Sequence, residues 1–313
     1  MSHVAGFQEK NHSFSRRQFG PNLHFLLSAY QRWLVQLKEA VSGLPAEPIA
    51  ELKTDLLTVA AIGITVYLLS ALIHEAVGHG LTAYLVGARV LQITNAYVET
   101  DHTGLSAWAV RAISAGGCVA NFIFGTIILV WYRKLRDSSA QLRYFLWLLG
   151  IINFFKGSGY MLALSFASFG DWNNFLEGIG NKLPWQLGLT ALGAVIYMGT
   201  FFYAVRSIEE FLGSTSRRKR ALALTLTPYL VGGIVNSLAA ALGPGGTSAV
   251  FFSAALATFG GTWLLVWVPS AVGTPRFTTS VTPLTVSRGT GWILLGLVAL
   301  GIYFFILGLG LIW

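Results

Sequence analysis

The stretch IHEAVGHG, residues 73–80, lies within a long apolar run that covers residues 57–86. An apolar run of about 20 residues is long enough to cross a lipid bilayer as a helix. Imidazole and carboxylate groups are costly to place among lipid tails, so His74, Glu75 and His79 mark a functional site by default. The residue types favour a metal site inside a membrane. A hydrogen-bonded cluster that only joins helices is the structural alternative.

The composition indicates that most of the chain lies in the membrane. Of 313 residues, 54% are hydrophobic and only 11% are charged, which exceeds what a soluble core needs. Because backbone polar groups must be satisfied within lipid, apolar segments of spanning length are helices. The sequence predicts an all-α polytopic membrane protein with about six to seven transmembrane helices, over residues 57–86, 107–132, 143–168, 185–206, 221–242, 248–270 and from about 290 to the end.

The segments outside these helices predict the topology. Residues 88–106 predict a small β element of one or two short strands between the first two helices, because apolar Val90, Ile93, Ala96 and Val98 lie among threonines and a tyrosine. Basic residues cluster in alternate connections, so the positive-inside rule predicts a cytoplasmic N-terminus and an outward C-terminus. The net charge of +8 is therefore explained by membrane topology, and we expect no nucleic-acid partner. Residues 1–54 read as a polar tail without a removable signal peptide, followed by an amphipathic helix on the membrane surface.

The cysteine and histidine counts narrow the class of metal site. Cys118 is the only cysteine, so cysteine-rich zinc and iron–sulfur sites are excluded and the ligands must be imidazoles and carboxylates. The spacing of His74 and His79 also matches one histidine box of membrane desaturases. Those di-iron enzymes need several further boxes, whereas the remaining histidines are isolated, at positions 3, 12, 24 and 102.

The spacing of the two histidines departs from the common H-E-x-x-H zinc motif, in which they lie at i and i+4 on one helix face. Here they lie at i and i+5, so a regular α-helix would rotate them apart by about 140°. One solution is a single π-type turn, and Gly78, which has no side chain to clash, makes such a turn plausible. In the other solution, Glu75 and His79, at i and i+4, are the facing pair.

Three segments in order resemble the site-2 protease family of intramembrane zinc metalloproteases, within residues 57–175. The first is the His74, Glu75 and His79 segment. The second is GGCVAN, residues 116–121, which is similar to the family's A-G-P-x-x-N segment, although Cys118 replaces the proline. The third is FGDWN, residues 169–173, which lies where the family supplies an aspartate ligand from a later helix, although tryptophan follows the aspartate here instead of glycine.

This resemblance implies a function and a set of site residues. His74, His79 and Asp171 would bind Zn²⁺ and leave one position for water, while Glu75 would act as the general base of peptide hydrolysis. Asn121 would hold the substrate or stabilise an oxyanion, unless it serves as an interhelical hydrogen bond. A helix N-cap is the alternative for Asp171.

Two residues of the third span extend this site. Asn153 and Lys156 form an inward polar stripe with Tyr160, and we expect them to contribute to substrate binding or oxyanion stabilisation. Lys156 can instead pair with an acid or extend towards the membrane surface.

The resemblance divides the chain into three regions: the N-terminal tail and interfacial helix (1–54), a metalloprotease-like membrane core (55–182), and further transmembrane helices of unknown role (183–313). The expected partners are a membrane-anchored protein substrate and the lipid bilayer, in a bacterial inner membrane. The alternative is a non-proteolytic membrane protein that binds or transports a metal, or an inactive protease homologue.

Overall fold

The computed structural model describes residues 54–213, 216–243, 248–273 and 283–312. The predicted polar tail and amphipathic helix lie outside the described residues, apart from residue 54. Within the described ranges the chain is mainly helical, with six long apolar helices and a three-stranded sheet. This confirms the predicted class, an all-α polytopic membrane protein with a small β element.

The elements follow one another in this order: α1 (Leu56–Leu85), β1 (Arg89–Ile93), β2 (Val98–Asp101), α2 (Ala107–Lys134), α3 (Ala140–Leu164), α4 (Asp171–Phe175), α5 (Leu183–Ser207), α6 (Glu209–Leu212), α7 (Arg217–Leu242), α8 (Ser248–Ala255), α9 (Val268–Ala271), α10 (Thr290–Ile302) and β3 (Leu311–Ile312). The six candidate spans are α1, α2, α3, α5 with α6, α7, and α10 with its extension to Leu307.

Polar side chains begin the first three long helices. Asp55 accepts a hydrogen bond from Thr58 N at 2.8 Å at the start of α1, and Ser106 and Ser139 cap α2 and α3 in the same way. Such caps satisfy backbone N–H groups that no helical carbonyl reaches. Asp55 also forms an ion pair with Arg288 at 3.0 Å, so the segment before α10 lies beside the start of α1.

The helix α1 is central, because it packs against α3, α7 and α10. Small residues permit this close approach. A Cβ atom added at Gly63 would lie 2.7 Å from Pro228 Cα in α7, and one added at Gly296 in α10 would lie 2.7 Å from Ala61 Cβ. Helices in membranes associate through such small-residue contacts, where backbones come close together.

The predicted span at 248–270 is a broken helix. α8 continues into a π-helical turn over Leu256–Gly260, and a 3₁₀ segment at Trp263–Trp267 then leads to α9. Two backbone carbonyls at this break accept hydrogen bonds from tyrosine hydroxyls of neighbouring helices, Tyr229 to Phe259 O and Tyr197 to Gly260 O, each at 3.3 Å. Non-helical backbone is tolerated at membrane depth where protein groups satisfy it.

This broken segment returns to the side of the bundle on which α7 starts. Arg217 at the start of α7 donates to Gly273 O, just beyond α9, at 3.2 Å, whereas α8 begins shortly after the end of α7. The described chain therefore passes seven times between the two ends of the bundle. As a result, Asp55 and β3 lie at opposite ends, as the seven predicted spans require. Which end faces the cytoplasm remains a prediction from the basic residues.

The sheet follows α1 in the chain, packs beside the C-terminal part of that helix, and has the order β2–β1–β3, with both pairs antiparallel. The strands β1 and β2 confirm the β element predicted at residues 88–106. The third strand comes from the far end of the chain and was not predicted. It places Ile312 opposite Gln92 and Leu311 opposite Ile93, so one edge of β1 is covered and β2 forms the other edge.

The seven passes predict which positions share a side of the membrane. Single cysteines introduced as Asp137→Cys and Gly273→Cys should react with a membrane-impermeant maleimide from the same side of sealed vesicles, and Thr103→Cys from the opposite side. All three positions are exposed, and the native Cys118 is buried, so it should not interfere. Labelling of Gly273→Cys from the same side as Thr103→Cys would show that the broken segment does not cross.

Candidate metal site

A π-helical segment over Ile73–Leu81 interrupts the regular α-helix of α1. A π-helix closes i→i+5 hydrogen bonds and so brings residues five apart onto one face. The Nε2 atoms of His74 and His79 consequently lie 3.3 Å apart. Of the two solutions that the sequence left open, the π-type turn is confirmed.

Asp171 completes a set of three potential ligands. Its Oδ2 lies 3.1 Å from His74 Nε2 and 3.4 Å from His79 Nε2, and one potential ligand atom from each of the three residues lies within 4.8 Å of the other two. Asp171 is the first residue of α4 and follows Gly170, which occupies the N-cap position with a φ of 85°. The alternative role of Asp171 as the N-cap is therefore wrong, and its carboxylate turns towards the histidines.

Hydrogen bonds behind the two imidazoles fix their orientation. His74 Nδ1 donates to Asn121 Oδ1 at 2.6 Å, and His79 Nδ1 donates to the backbone carbonyl of Ile113 at 2.7 Å. With Nδ1 protonated, each neutral ring presents the lone pair of Nε2 to the other histidine and to Asp171. Metal-binding histidines are oriented in this way by a partner on the second ring nitrogen.

The Asn121 amide is itself held in place. Its Nδ2 donates to Asn153 Oδ1 at 2.6 Å, and Asn153 Nδ2 donates to Leu149 O at 2.8 Å. Asn121 and Asn153 are both fully buried. These bonds tie α2 and α3 to His74 and give the two asparagines an orienting role; their predicted contacts with a substrate or oxyanion remain predictions.

Glycines in α2 leave room for the histidines. A Cβ atom at Gly117 would lie 2.6 Å from His74 Nε2 and 2.5 Å from His79 Nε2. A Cβ at Gly78 in α1 would come within 3.0 Å of the Gly117 backbone. The space beside the two Nε2 atoms therefore exists because residue 117 carries no side chain, and the two helices meet because residue 78 carries none.

Three electron-pair donors that converge in this way repel one another unless a proton or a cation lies between them. Burial raises the pKa of Asp171, but the positive charge and hydrogen bonds that His79 and His74 supply when a proton lies on Nε2 lower it more, so its pKa falls well below its usual range. The arrangement thus favours an ionised carboxylate beside positive charge. The three side chains form a possible metal-binding triad, as the sequence predicted.

A polar cavity of about 20 Å³ adjoins His74. Glu75 and Lys156, both at least nine-tenths buried, line this cavity and attract each other electrostatically. The ammonium group of Lys156 also lies 5.7 Å from the centre of the Tyr67 ring. Lys156 is 5% exposed, which argues against extension towards the membrane surface, but its ammonium group has no carboxylate oxygen of the described residues within 4 Å, so pairing with an acid stays a prediction.

Several features of the site were not predicted from the sequence. Tyr160 was assigned only to the inward stripe, and its ring lies 4.7 Å from that of His74. Asn95, Asn236 and Thr258 also line the cavity, although none of these three residues was assigned to the site. The sequence carried no signal for them, because they meet only through the tertiary fold.

Searches against protein-family profiles, curated proteins and solved structures gave no match to this chain.

The space beside Gly117 yields a test of the metal site. Gly117→Ala should lower the metal content of the purified protein by roughly tenfold or more, because the added methyl group would lie 2.5–2.6 Å from both Nε2 atoms and displace the imidazoles. Atomic emission analysis measures the metal per chain, and circular dichroism checks the helix content. Gly199→Ala is the matched control, since a Cβ there meets no atom within 4 Å. Full metal content in Gly117→Ala would place the metal elsewhere.

The hydrogen bond from His74 to Asn121 gives a second test. Asn121→Ala should weaken metal affinity, with Zn²⁺ as the probe ion, roughly 10- to 100-fold, the usual cost of losing a group that orients a histidine ligand. Competition with a fluorescent chelator measures this affinity. Thr126→Ala, an exposed position on the same helix, is the control. An unchanged affinity in Asn121→Ala would contradict the orienting role.

Proposed function

We propose that this protein is an intramembrane zinc metalloendopeptidase that hydrolyses a peptide bond of a membrane-anchored protein. The observation that carries the proposal is the convergence of His74, His79 and Asp171 directly beside Glu75, inside a bundle of apolar helices. The resemblance of residues 57–175 to site-2 proteases supports the same reaction.

The donor set fits zinc. Two neutral imidazoles and one carboxylate are typical of catalytic zinc sites, which keep a fourth position open. Tetrahedral coordination with bonds of about 2.0–2.1 Å places neighbouring ligand atoms about 3.3–3.4 Å apart. The three separations among the Nε2 and Oδ2 atoms are 3.1, 3.3 and 3.4 Å. Gly117 places no side chain against the two Nε2 atoms, which a Cβ at that position would contact at 2.5–2.6 Å.

When bound there, Zn²⁺ supplies Lewis-acid activation of a water molecule and of the substrate carbonyl. Glu75 follows His74 in the π-helical segment, lines the cavity and is 5% exposed. Its carboxylate takes the proton from the attacking water and delivers it to the departing amine.

Lys156 supports this chemistry from the opposite helix. Its ammonium group lies in the cavity that Glu75 and His74 share, where few other charges are available. In a site of low polarity, a fixed cation stabilises negative charge that develops during hydrolysis far more than it would in water. Of the three residues predicted to bind substrate or oxyanion, Lys156 is therefore the one that we assign to oxyanion stabilisation.

The substrate reaches the site as an extended chain, because the peptide bonds of a helix are shielded. The sheet beside the site can accept such a chain by strand addition. Since β3 covers one edge of β1, the edge of β2 is the one that remains among the described strands. By the positive-inside rule, the start of α1 faces the cytoplasm of a bacterial inner membrane, and the sheet lies towards the opposite side.

Glu75→Gln tests the proposal against a non-proteolytic metal protein. In proteoliposomes with a panel of single-span membrane peptides, mass spectrometry should find cleavage by the wild type and a loss of about 10²- to 10⁴-fold in Glu75→Gln, because the base is lost. The zinc content of Glu75→Gln should remain at one ion per chain, since all three ligands are intact.

Two controls complete this experiment. His79→Ala should lose both zinc and cleavage, whereas Thr126→Ala should retain both. Cleavage by Glu75→Gln at the wild-type rate would refute the proposed role of Glu75. A wild type that holds zinc but cuts none of the peptides would favour the alternative, a membrane protein that binds or transports metal.

A further inference from the structure

Asn95 lies at the tip of the hairpin formed by β1 and β2, and the tip is held in one conformation. Thr94 N donates to Tyr97 O at 3.0 Å, and Thr94 Oγ1 accepts hydrogen bonds from Ala96 N at 3.1 Å and Tyr97 N at 2.9 Å. Asn95 is 3% exposed and lines the same cavity as Glu75 and Lys156. The hairpin thus carries a polar side chain to the edge of the proposed catalytic centre.

The orientation of the Asn95 amide is determined by its partner in α7. Asn95 Nδ2 lies 2.9 Å from the backbone carbonyl of Asn236, which can only accept a hydrogen bond, so the NH₂ group must face it. Asn236 is held in turn, because its Nδ2 donates to Thr258 Oγ1 at 2.7 Å. The amide of Asn95 is therefore fixed before any ligand arrives.

This orientation leaves the amide oxygen free. Asn95 Oδ1 is buried and finds no hydrogen-bond partner in the described part of the chain. A buried acceptor without a donor is destabilising, and native proteins rarely keep one without a reason. The cavity that Asn95 lines has room for one small polar group, at about 20 Å³. The unmet requirement at this position is a single hydrogen-bond donor.

We propose that Asn95 Oδ1 accepts a hydrogen bond from a backbone N–H of the substrate and positions the extended peptide beside Glu75. This inference rests on the proposed function and names a substrate-positioning residue for it. A peptide N–H is the donor that every extended segment carries at regular intervals, so the contact selects for extended backbone and not for side-chain identity. The fixed acceptor gains a partner only when a substrate lies next to the catalytic carboxylate.

The inference is tested by measuring how tightly metal-directed ligands bind to the metal-loaded Glu75→Gln variant. This variant is used because it should not hydrolyse the peptide probes. The probes are acetohydroxamate, an acetylated trileucine hydroxamate, and versions of the latter with each amide nitrogen methylated in turn. In Glu75→Gln one methylated version should bind roughly five- to tenfold more weakly than the parent probe, because one hydrogen bond is lost. Adding Asn95→Ala should weaken the parent probe by a similar factor and abolish the difference between the parent and that methylated version.

Two further variants separate this contact from general disruption of the hairpin. Asn236→Ala removes the longer contact of Asn95 Nδ2 with Asn236 Oδ1, at 3.3 Å, but keeps the backbone carbonyl at 2.9 Å, so the difference between parent and methylated probes should remain. Asn181→Ala, at an exposed loop position, should leave every affinity unchanged. If the difference persists in Asn95→Ala, or if no methylated version binds more weakly in the presence of Asn95, the N–H contact is refuted and a water molecule is the occupant of the cavity.

The acetohydroxamate measurement keeps this inference separate from the proposed function. Acetohydroxamate can coordinate the metal but is too short to carry a peptide backbone. Equal acetohydroxamate affinity with and without Asn95→Ala, together with the predicted loss for the peptide probe, supports the inference. If acetohydroxamate fails to bind zinc-loaded Glu75→Gln, the metal centre itself is refuted, and the role of Asn95 with it.

Discussion

The contact between α1 and α2 at Gly78 and Gly117 is the constraint on which the site depends. A Cβ at either position would clash, at Gly78 with the backbone of α2 and at Gly117 with both imidazoles. The π-helical segment of α1 adds the rotation that places His79 beside His74. The close approach of α1 to α2 and the π-type turn in α1 act together. The turn directs both imidazole rings towards α2, and the two glycines carry no side chain that would clash there.

The triad is buried among apolar helices, so its polar groups must be satisfied within the protein. Burying a polar group without a partner costs roughly 1–3 kcal/mol by protein mutational data, which is a sizeable fraction of the stability of a domain. The Nδ1 atoms of His74 and His79 both donate to oxygens of α2, and Asn121 and Asn153 extend the network from α2 into α3. Only the Nε2 lone pairs and the Asp171 carboxylate converge on one another. The arrangement concentrates three electron-pair donors at a single point, where a shared proton or a bound cation can satisfy them.

Much of the fold and of the triad could be predicted from the sequence. Helix positions follow from apolar runs of spanning length, and the separation of His74 and His79 by five residues allowed the π-type turn to be proposed with Gly78 as its cause. The break in the segment 248–270 could not be predicted in this way, because hydropathy averages over the residues at which the helix is interrupted. The pairing of β3 with β1 and the contact of Asn95 with Asn236 were also missed. Such contacts join residues far apart in sequence, 141 positions in the second case, and leave no local pattern.

The helices after residue 183 form part of the wall around the candidate site. From the hairpin tip, Asn95 bonds to Asn236 in α7, and Asn236 bonds to Thr258 at the break in the sixth predicted span. Thr262, one turn further on, lies 2.9 Å from the hydroxyl of Tyr67, which returns the chain of contacts to α1. A chain of polar contacts therefore runs from the hairpin through α7 and the broken segment to α1, the helix that carries Glu75. The C-terminal helices thus help to line the cavity beside candidate ligands that all come from residues 55–182.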